Sequence, residues 1–376
     1  MKASGRFLWA LSLVLLMAAG CAGNPAITPA PTGAAPNATA TPGSSAVSDW
    51  DKTVAEARKE GQLLMYNAST KYEDAAARFK QKYGIVLDSI ALNSGQIAER
   101  MSREYNAGIH EVDVISTGTG GVRLLKPLNL MAPLENVIVL PEVLDPTKWV
   151  ENRFPLVDHF EVDYFGRVST PIWVNTEMVK PGDIKEMRDL LKPEWKGKVI
   201  LDDPQNSGAG TQWFRMYYPL LGDDFMTAFV KQEPVVLRDK RLEVEWLARG
   251  KYPVLIGGNY ENLLEFKNLG SPIAANVTKE GKYIGPGSGI IEMAPKPAHP
   301  NAAKLFVNWI LTQEGQTLLT QQNLIPSRRL DVPTAHLSED EIPKKGETYL
   351  ADTPESLANA NDFMKQSAKL FAPVLK

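Results

Sequence analysis

The sequence predicts an α/β protein whose folded body has two lobes joined by two crossings. Three observations carry this. Strand and helix signals alternate from residue 62 to 121, an extended segment follows at 165–173, and a second alternating unit then runs to a glycine-rich return at 285–289. Short apolar runs separated by helices of ten or so residues fold as parallel sheets covered on both faces.

The elements follow in order. Gln62–Tyr66 is a short apolar run, and Asn67-Ala68-Ser69-Thr70 is a turn and helix cap. The helix predicted over Tyr72–Tyr83 places Ala75, Ala76, Phe79 and Tyr83 on one face and ends at Gly84. A second strand is expected over Ile85–Ile90, a helix over Ser94–Asn106, and a third strand over Val112–Ser116. Thr117-Gly118-Thr119-Gly120-Gly121 then opens another helix. The extended connector Phe165–Trp173 carries Pro171.

In the second unit, Val199-Ile200-Leu201 is a strand, and Asn206–Gly210 is a turn before a helix with Trp213, Phe214 and Tyr217. Val235–Leu237 and Pro253–Gly258 are further strands, with a helix ending at Gly250 between them. The strand Ile290–Met293 and the helix Asn301–Leu311 complete the pattern. The first lobe is therefore assigned to 48–165 and 290–376, and the second to 166–289.

Ahead of the body lies a different kind of sequence. Lys2 and Arg6 precede an apolar run from Phe7 to Met17 and the small residues Ala18, Ala19 and Gly20. That order marks residues 1–20 as a secretory signal, and a run of roughly eleven is too short to span a bilayer. Ala18-Ala19-Gly20-Cys21 resembles a bacterial lipobox, which implies that Cys21, the single cysteine, is lipidated. Residues 21–47 are rich in Ala, Pro, Thr, Gly and Ser, a composition that buries too little apolar surface to fold. The reading is an exported protein, tethered by lipid to the outer side of a bacterial membrane.

With 44% hydrophobic and 23% charged residues and a net charge of -3, the chain has the balance of an ordinary globular protein. Nothing in that balance points to nucleic acid. The histidines His110, His159, His299 and His336 are scattered, and no metal spacing, nucleophile elbow or phosphate loop is present. Asp202-Asp203 reads as a loop start with a capping role rather than a metal pair. Neither a catalytic site, a resident metal nor a cofactor is expected.

Three polar turns suggest binding instead. Asn67–Thr70, Thr117–Gly121 and Ser207–Thr211 each follow a strand and open a helix, where unpaired N–H groups and the positive dipole end favour anionic oxygens. The candidate ligand-binding residues are Ser69, Thr70, Thr117, Gly118 and Thr119 of the first lobe, and Thr170 of the connector. Ser207, Gly208, Thr211, Arg238, Asn259 and Tyr260 are their counterparts in the second. Arg238 is the expected clamp for a carboxylate or phosphonate.

Several stretches carry a family resemblance. Pro193-Glu194-Trp195-Lys196-Gly197-Lys198-Val199, Asp203–Thr211, Asn301-Ala302-Ala303-Lys304-Leu305-Phe306-Val307-Asn308-Trp309-Ile310, Thr312–Gln316 and Pro326–Val332 resemble solute-binding proteins of ABC importers. The branch is the one that handles ferric iron, thiamine, polyamines and phosphonates. The resemblance implies the two-lobed type 2 periplasmic-binding fold, a monomer, an interlobe cleft for a small molecule, and an ABC permease with its ATPase as partners.

Ferric-binding members typically present two adjacent tyrosines where this chain has Asn259-Tyr260, and a first-lobe histidine missing from Asn67–Lys71. Hard Fe(III) needs several anionic oxygens. An oxyanion-bearing organic solute is therefore the expected ligand, with ferric iron at Tyr260 the alternative. An extracytoplasmic enzyme or a sensor subunit on the same scaffold is the reading from a different class.

Overall fold

The computed structural model describes residues 43–68, 70–205, 208–285, 289–353, 356 and 359–375. The signal segment and Cys21, with most of the tether, lie outside the described residues, as do Ser69 and Ser207. The chain is mixed α/β, built on two separate sheets.

Helix α1 spans Gly43–Glu60, so the last residues assigned to the tether are helical. Its Trp50, Val54 and Ala57 recur at helical spacing and pack on the first core. The Glu60 carboxylate accepts the amides of Asn301 and Ala302, at 3.2 and 2.7 Å, at the start of a later helix. An apolar stripe and one buried cap explain why an N-terminal helix forms where composition suggested a leash.

The first sheet has the order β2-β1-β3-β13-β5-β4. Its parallel strands are β1 (Gln62–Asn67), β2 (Val86–Ala91) and β3 (Val114–Thr117). The helices between them are α2 (Glu73–Tyr83), which Gly84 closes at φ +78°, and α3 (Ser94–Asn106), which Asn93 caps in a capping box. The short helices α4 (Thr119–Leu125) and α5 (Pro141–Leu144) follow. Strand β13 (Ile290–Met293) runs antiparallel between β3 and β5 (Glu161–Asp163), and β4 (Leu156–Val157) forms the edge.

The second sheet has the order β11-β7-β10-β8-β9. Strands β8 (Val199–Asp202), β9 (Val235–Leu237) and β10 (Val254–Ile256) are parallel, while β7 (Ile172–Asn175) runs antiparallel to both its neighbours, β10 and β11 (Ile273–Asn276). Helix α6 (Ala209–Val230) turns at Gly222, shortly after Pro219. Helices α7 (Lys240–Ala248) and α8 (Tyr260–Asn268) cover the sheet. In a parallel array all carboxyl ends emerge on one side, and that side is where ligands bind in open α/β sheets.

The two crossings pair with each other. Strand β6 (Val168–Ser169) of the outgoing crossing and β12 (Tyr283–Ile284) of the return form a two-stranded antiparallel ribbon. Gly289 lies where the return passes the outgoing chain: a Cβ there would stand 2.5 Å from the Tyr164 ring. Helices α9 (Pro300–Ile310) and α10 (Gln313–Asn323) then rejoin the first core.

The C-terminal part departs from the expected division. Residues 290–376 were assigned to the first lobe, but the last helix, α11 (Ala360–Phe371), packs on α6. Phe371 lies among Trp213, Phe214 and Phe229 in the second core. The physical reason is the aromatic surface of α6, which needs a cover that its own sheet does not supply.

Candidate functional site

A cavity of about 340 Å³ opens where the carboxyl ends of β8 and β10 meet the paired crossings. The crossings contribute Arg167, Ser169, Thr170 and Tyr283. The turn into α6 contributes Asp202, Gly208 and Gln212, and the first residue of α7 contributes Lys240. The turn into α8 brings Gly257, Gly258, Asn259 and Tyr260. The N-terminal ends of α6 and α8 thus face one space, and such ends favour anions.

Close backbone approach makes this floor. Gly257 has φ +78°, and a Cβ on it would stand 2.8 Å from the amide nitrogen of Gly210. Glycine at this place lets the two helix starts touch. Asp202 accepts the Gly210 amide at 2.7 Å, the capping role expected of it. Asn259 caps α8 by accepting the Asn262 amide at 3.0 Å.

The charges are arranged at two ends. Burial raises the Asp202 carboxyl above its ordinary range, and the neighbouring Lys240 opposes that rise. Glu243, fully buried on α7, is raised as well, first by burial and then by the Asp202 charge. Lys240 also lines the cavity, where its ammonium acts on both carboxyls, and it makes no ion pair within 4 Å among the described residues.

Arg167, at the other end, is engaged. It donates to Glu261 at 2.8 Å and lies 4.7 Å from the centre of the Tyr260 ring. Burial pushes the Tyr260 phenol up to about 12, against the opposing effect of Arg167.

Of the expected site residues, Thr170, Gly208, Asn259 and Tyr260 line the cavity. Apart from Ser69, Ser207 and the Thr119 side chain, which lie outside the described part of the structure, the others stand elsewhere. Thr70 is buried in a turn where Asn67 bonds both its amide and its carbonyl. Thr117 is buried and donates to Glu292 at 2.7 Å, and Gly118 is the extended residue before α4. Nothing is described of the Thr119 side chain. Thr211 donates to the Pro204 carbonyl at 3.1 Å. Arg238, the expected clamp, pairs instead with Asp203 at 2.8 Å and leaves 68% of its side chain exposed. It precedes the cap Asp239, whereas Lys240 begins the helix and lines the cavity.

Lys240, Arg167, Gln212, Glu261 and Asp340 are cavity residues that sequence reasoning did not select. Lys240 sat in the basic stretch that drew attention to Arg238. Asp340 comes from a C-terminal segment with no local signal of its own. Among the described residues no group of three or more His, Cys, Asp or Glu side chains is placed to hold a metal ion.

Comparison with known proteins places this geometry. Residues 65–322 match the model of the family described as bacterial extracellular solute-binding protein. A Haemophilus influenzae protein is 26% identical over 280 residues, covering 71% of this chain and 77% of its own. The solved structure of Trichodesmium FutA in complex with iron and citrate has a TM-score of 0.63 at 16% identity, covering 84% of this chain and 99% of that one. The Actinobacillus pleuropneumoniae protein AfuA, with fructose-6-phosphate bound, has a TM-score of 0.51 at 23% identity, covering 84% and 97%. At these identities the structures share the fold: a two-lobed periplasmic binding protein.

Proposed function

The chain belongs to the bacterial extracellular solute-binding proteins, and from that premise we propose that it captures a small oxyanion-bearing organic solute for an ABC importer. The permease and its ATPase are the receiving partners. The observation that carries the ligand class is Lys240, an ammonium lining a cavity faced by two helix N-termini. AfuA, of the same fold, holds fructose-6-phosphate, a solute of this chemistry.

A ferric complex is the second reading, and Tyr260 at the cavity favours it. Burial pushes its phenol up to about 12, so iron binding there has to displace a more firmly held proton, and the oxyanion is our favoured reading. A ferric citrate complex itself presents carboxylates, so Lys240 serves either solute.

We assign Cys21 as the lipid-bearing residue, with the tether holding the monomeric body outside the membrane. Among the described residues no helix is long and apolar enough to cross a membrane. The testing experiment is a thermal-shift screen of sugar phosphates, phosphonates, carboxylates and ferric citrate, followed by calorimetry on the best solute. Stabilisation by a solute without an oxyanion, retained in Lys240→Ala, overturns the reading.

A further inference from the structure

The segment after α10 runs from the first lobe along the hinge to the wall of the cavity. It starts beside the outgoing crossing, where Ser327 bridges to Phe165. Arg328 next donates to the carbonyl of Phe165 at 3.0 Å and to that of Gly285 at 3.3 Å, one on each crossing. The chain then forms a single helical turn at Glu339–Glu341, capped by Ser338.

That turn meets the second lobe at two points. Asp340 pairs with Lys267 of α8 at 2.7 Å, on the surface. Glu341 is 3% exposed. One of its oxygens accepts the Ser338 amide at 3.2 Å, and the other stands 3.0 Å from Nε of Arg167. Nη1 donates to Glu261 and Nη2 to the Leu324 carbonyl at 3.3 Å, while Nε lies within ion-pair distance of Glu341 without a hydrogen bond, so two carboxylates offset the charge of that guanidinium. A cation whose charge is offset in this way has less to offer a second anionic group of a ligand.

We propose that Glu341 is a built-in counter-anion: it occupies Arg167, clasps the C-terminal segment to the second lobe, and thereby determines which solutes the cavity accepts. The clasp stands on the contacts just described. The selectivity rests on the oxyanion reading, because it leaves Lys240 and the two helix starts to hold one oxyanionic group and denies the Arg167 end to a second.

The test compares the full chain with Glu341→Gln, which keeps the shape and removes the charge. Hydrogen exchange of the unliganded protein is expected to speed up roughly tenfold or more at residues 338–344, with α11 unchanged, since a buried charged contact is worth at least that much. Asp340→Asn breaks an exposed pair and is expected to change exchange little. Unchanged exchange in Glu341→Gln overturns the clasp whatever the protein binds.

Calorimetry then reads the ratio of affinities for fructose-6-phosphate and a fructose bisphosphate. Glu341→Gln is expected to shift it roughly tenfold or more towards the bisphosphate. Faster exchange with an unshifted ratio overturns the counter-anion role. If neither sugar phosphate binds the unaltered protein, it is the ligand reading that loses support, and the clasp is decided by exchange alone.

Discussion

The phenols of Tyr72 and Tyr164 meet at 2.6 Å inside the first lobe, and Tyr72 also donates to Ser116 at 2.8 Å. Both tyrosines are buried, and burial pushes Tyr164 up to about 12 and Tyr72 well above its ordinary value. These phenols are neutral and already paired with each other. On the oxyanion reading, ferric citrate is expected to produce no phenolate-to-iron band in the visible spectrum at neutral pH. A band that disappears in Tyr260→Phe would establish the iron reading instead.

Two cations on neighbouring residues separate the competing views of the cavity. Lys240→Ala removes a charge-assisted contact worth on the order of 1.5–3 kcal/mol, so affinity for the solute should fall about tenfold to more than a hundredfold. Its melting temperature should stay nearly constant. Arg238→Ala, by contrast, takes a cation from the buried Asp203 outside the cavity, so it should cost stability but leave affinity unchanged. Calorimetry on both variants checks the pair of outcomes, and a large loss in Arg238→Ala would restore the clamp expected from the sequence.

Stability should fall as pH rises, through a buried acidic stripe on the first sheet. Burial pushes Glu161 up to about 8 and Asp163 to about 6, and it raises Glu292 well above the glutamate range. A carboxyl raised in the folded state contributes its full stability below its unfolded value, and loses it as pH climbs through the folded value. Each such group imposes a slope of at most about 1.4 kcal/mol per pH unit. Melting temperature should decline between about pH 5 and pH 8, and Glu161→Gln should flatten that decline. A curve that rises over the same interval would contradict the assignment.

Ligand capture should close the cleft about the β6–β12 ribbon. Small-angle scattering is expected to show compaction at saturation with solute. Gly289→Ala forces a methyl against the Tyr164 and Phe165 rings and should destabilise the protein by about 1–3 kcal/mol. A saturated protein with an unaltered scattering profile would rule out hinge closure.

Membrane attachment should depend on one sulfur. Cys21→Ala is expected to release the protein into the soluble fraction and to abolish labelling by a radioactive fatty acid. Persistent membrane association in that variant would dissociate the lipobox resemblance from function.

The local patterns were legible where the forces are local. Strands β1, β2 and β3 and helices α2 and α3 follow from apolar runs, helical spacing and end signals such as Gly84, which takes the left-handed conformation that favours glycine. The family stretches at 193–199 and 301–310 lie on structural elements, and they pointed to the fold without fixing the ligand. Four of the expected site residues reached the cavity because each lies at a strand end or in a crossing, which chain order alone identifies.

Tertiary structure decided the rest. Whether Arg238 or Lys240 faces the cavity turns on which side of the cap Asp239 each stands, a matter of backbone direction that composition does not record. Arg167, Glu261 and Glu341 come together from a crossing, a helix start and a C-terminal turn far apart in the chain. Their charges only find one another after the two sheets have packed. Helix α11 likewise joins the second lobe because the aromatic face of α6 is there to be covered. Short-range periodicity specifies elements, whereas the cleft and its charge balance arise from long-range packing among them.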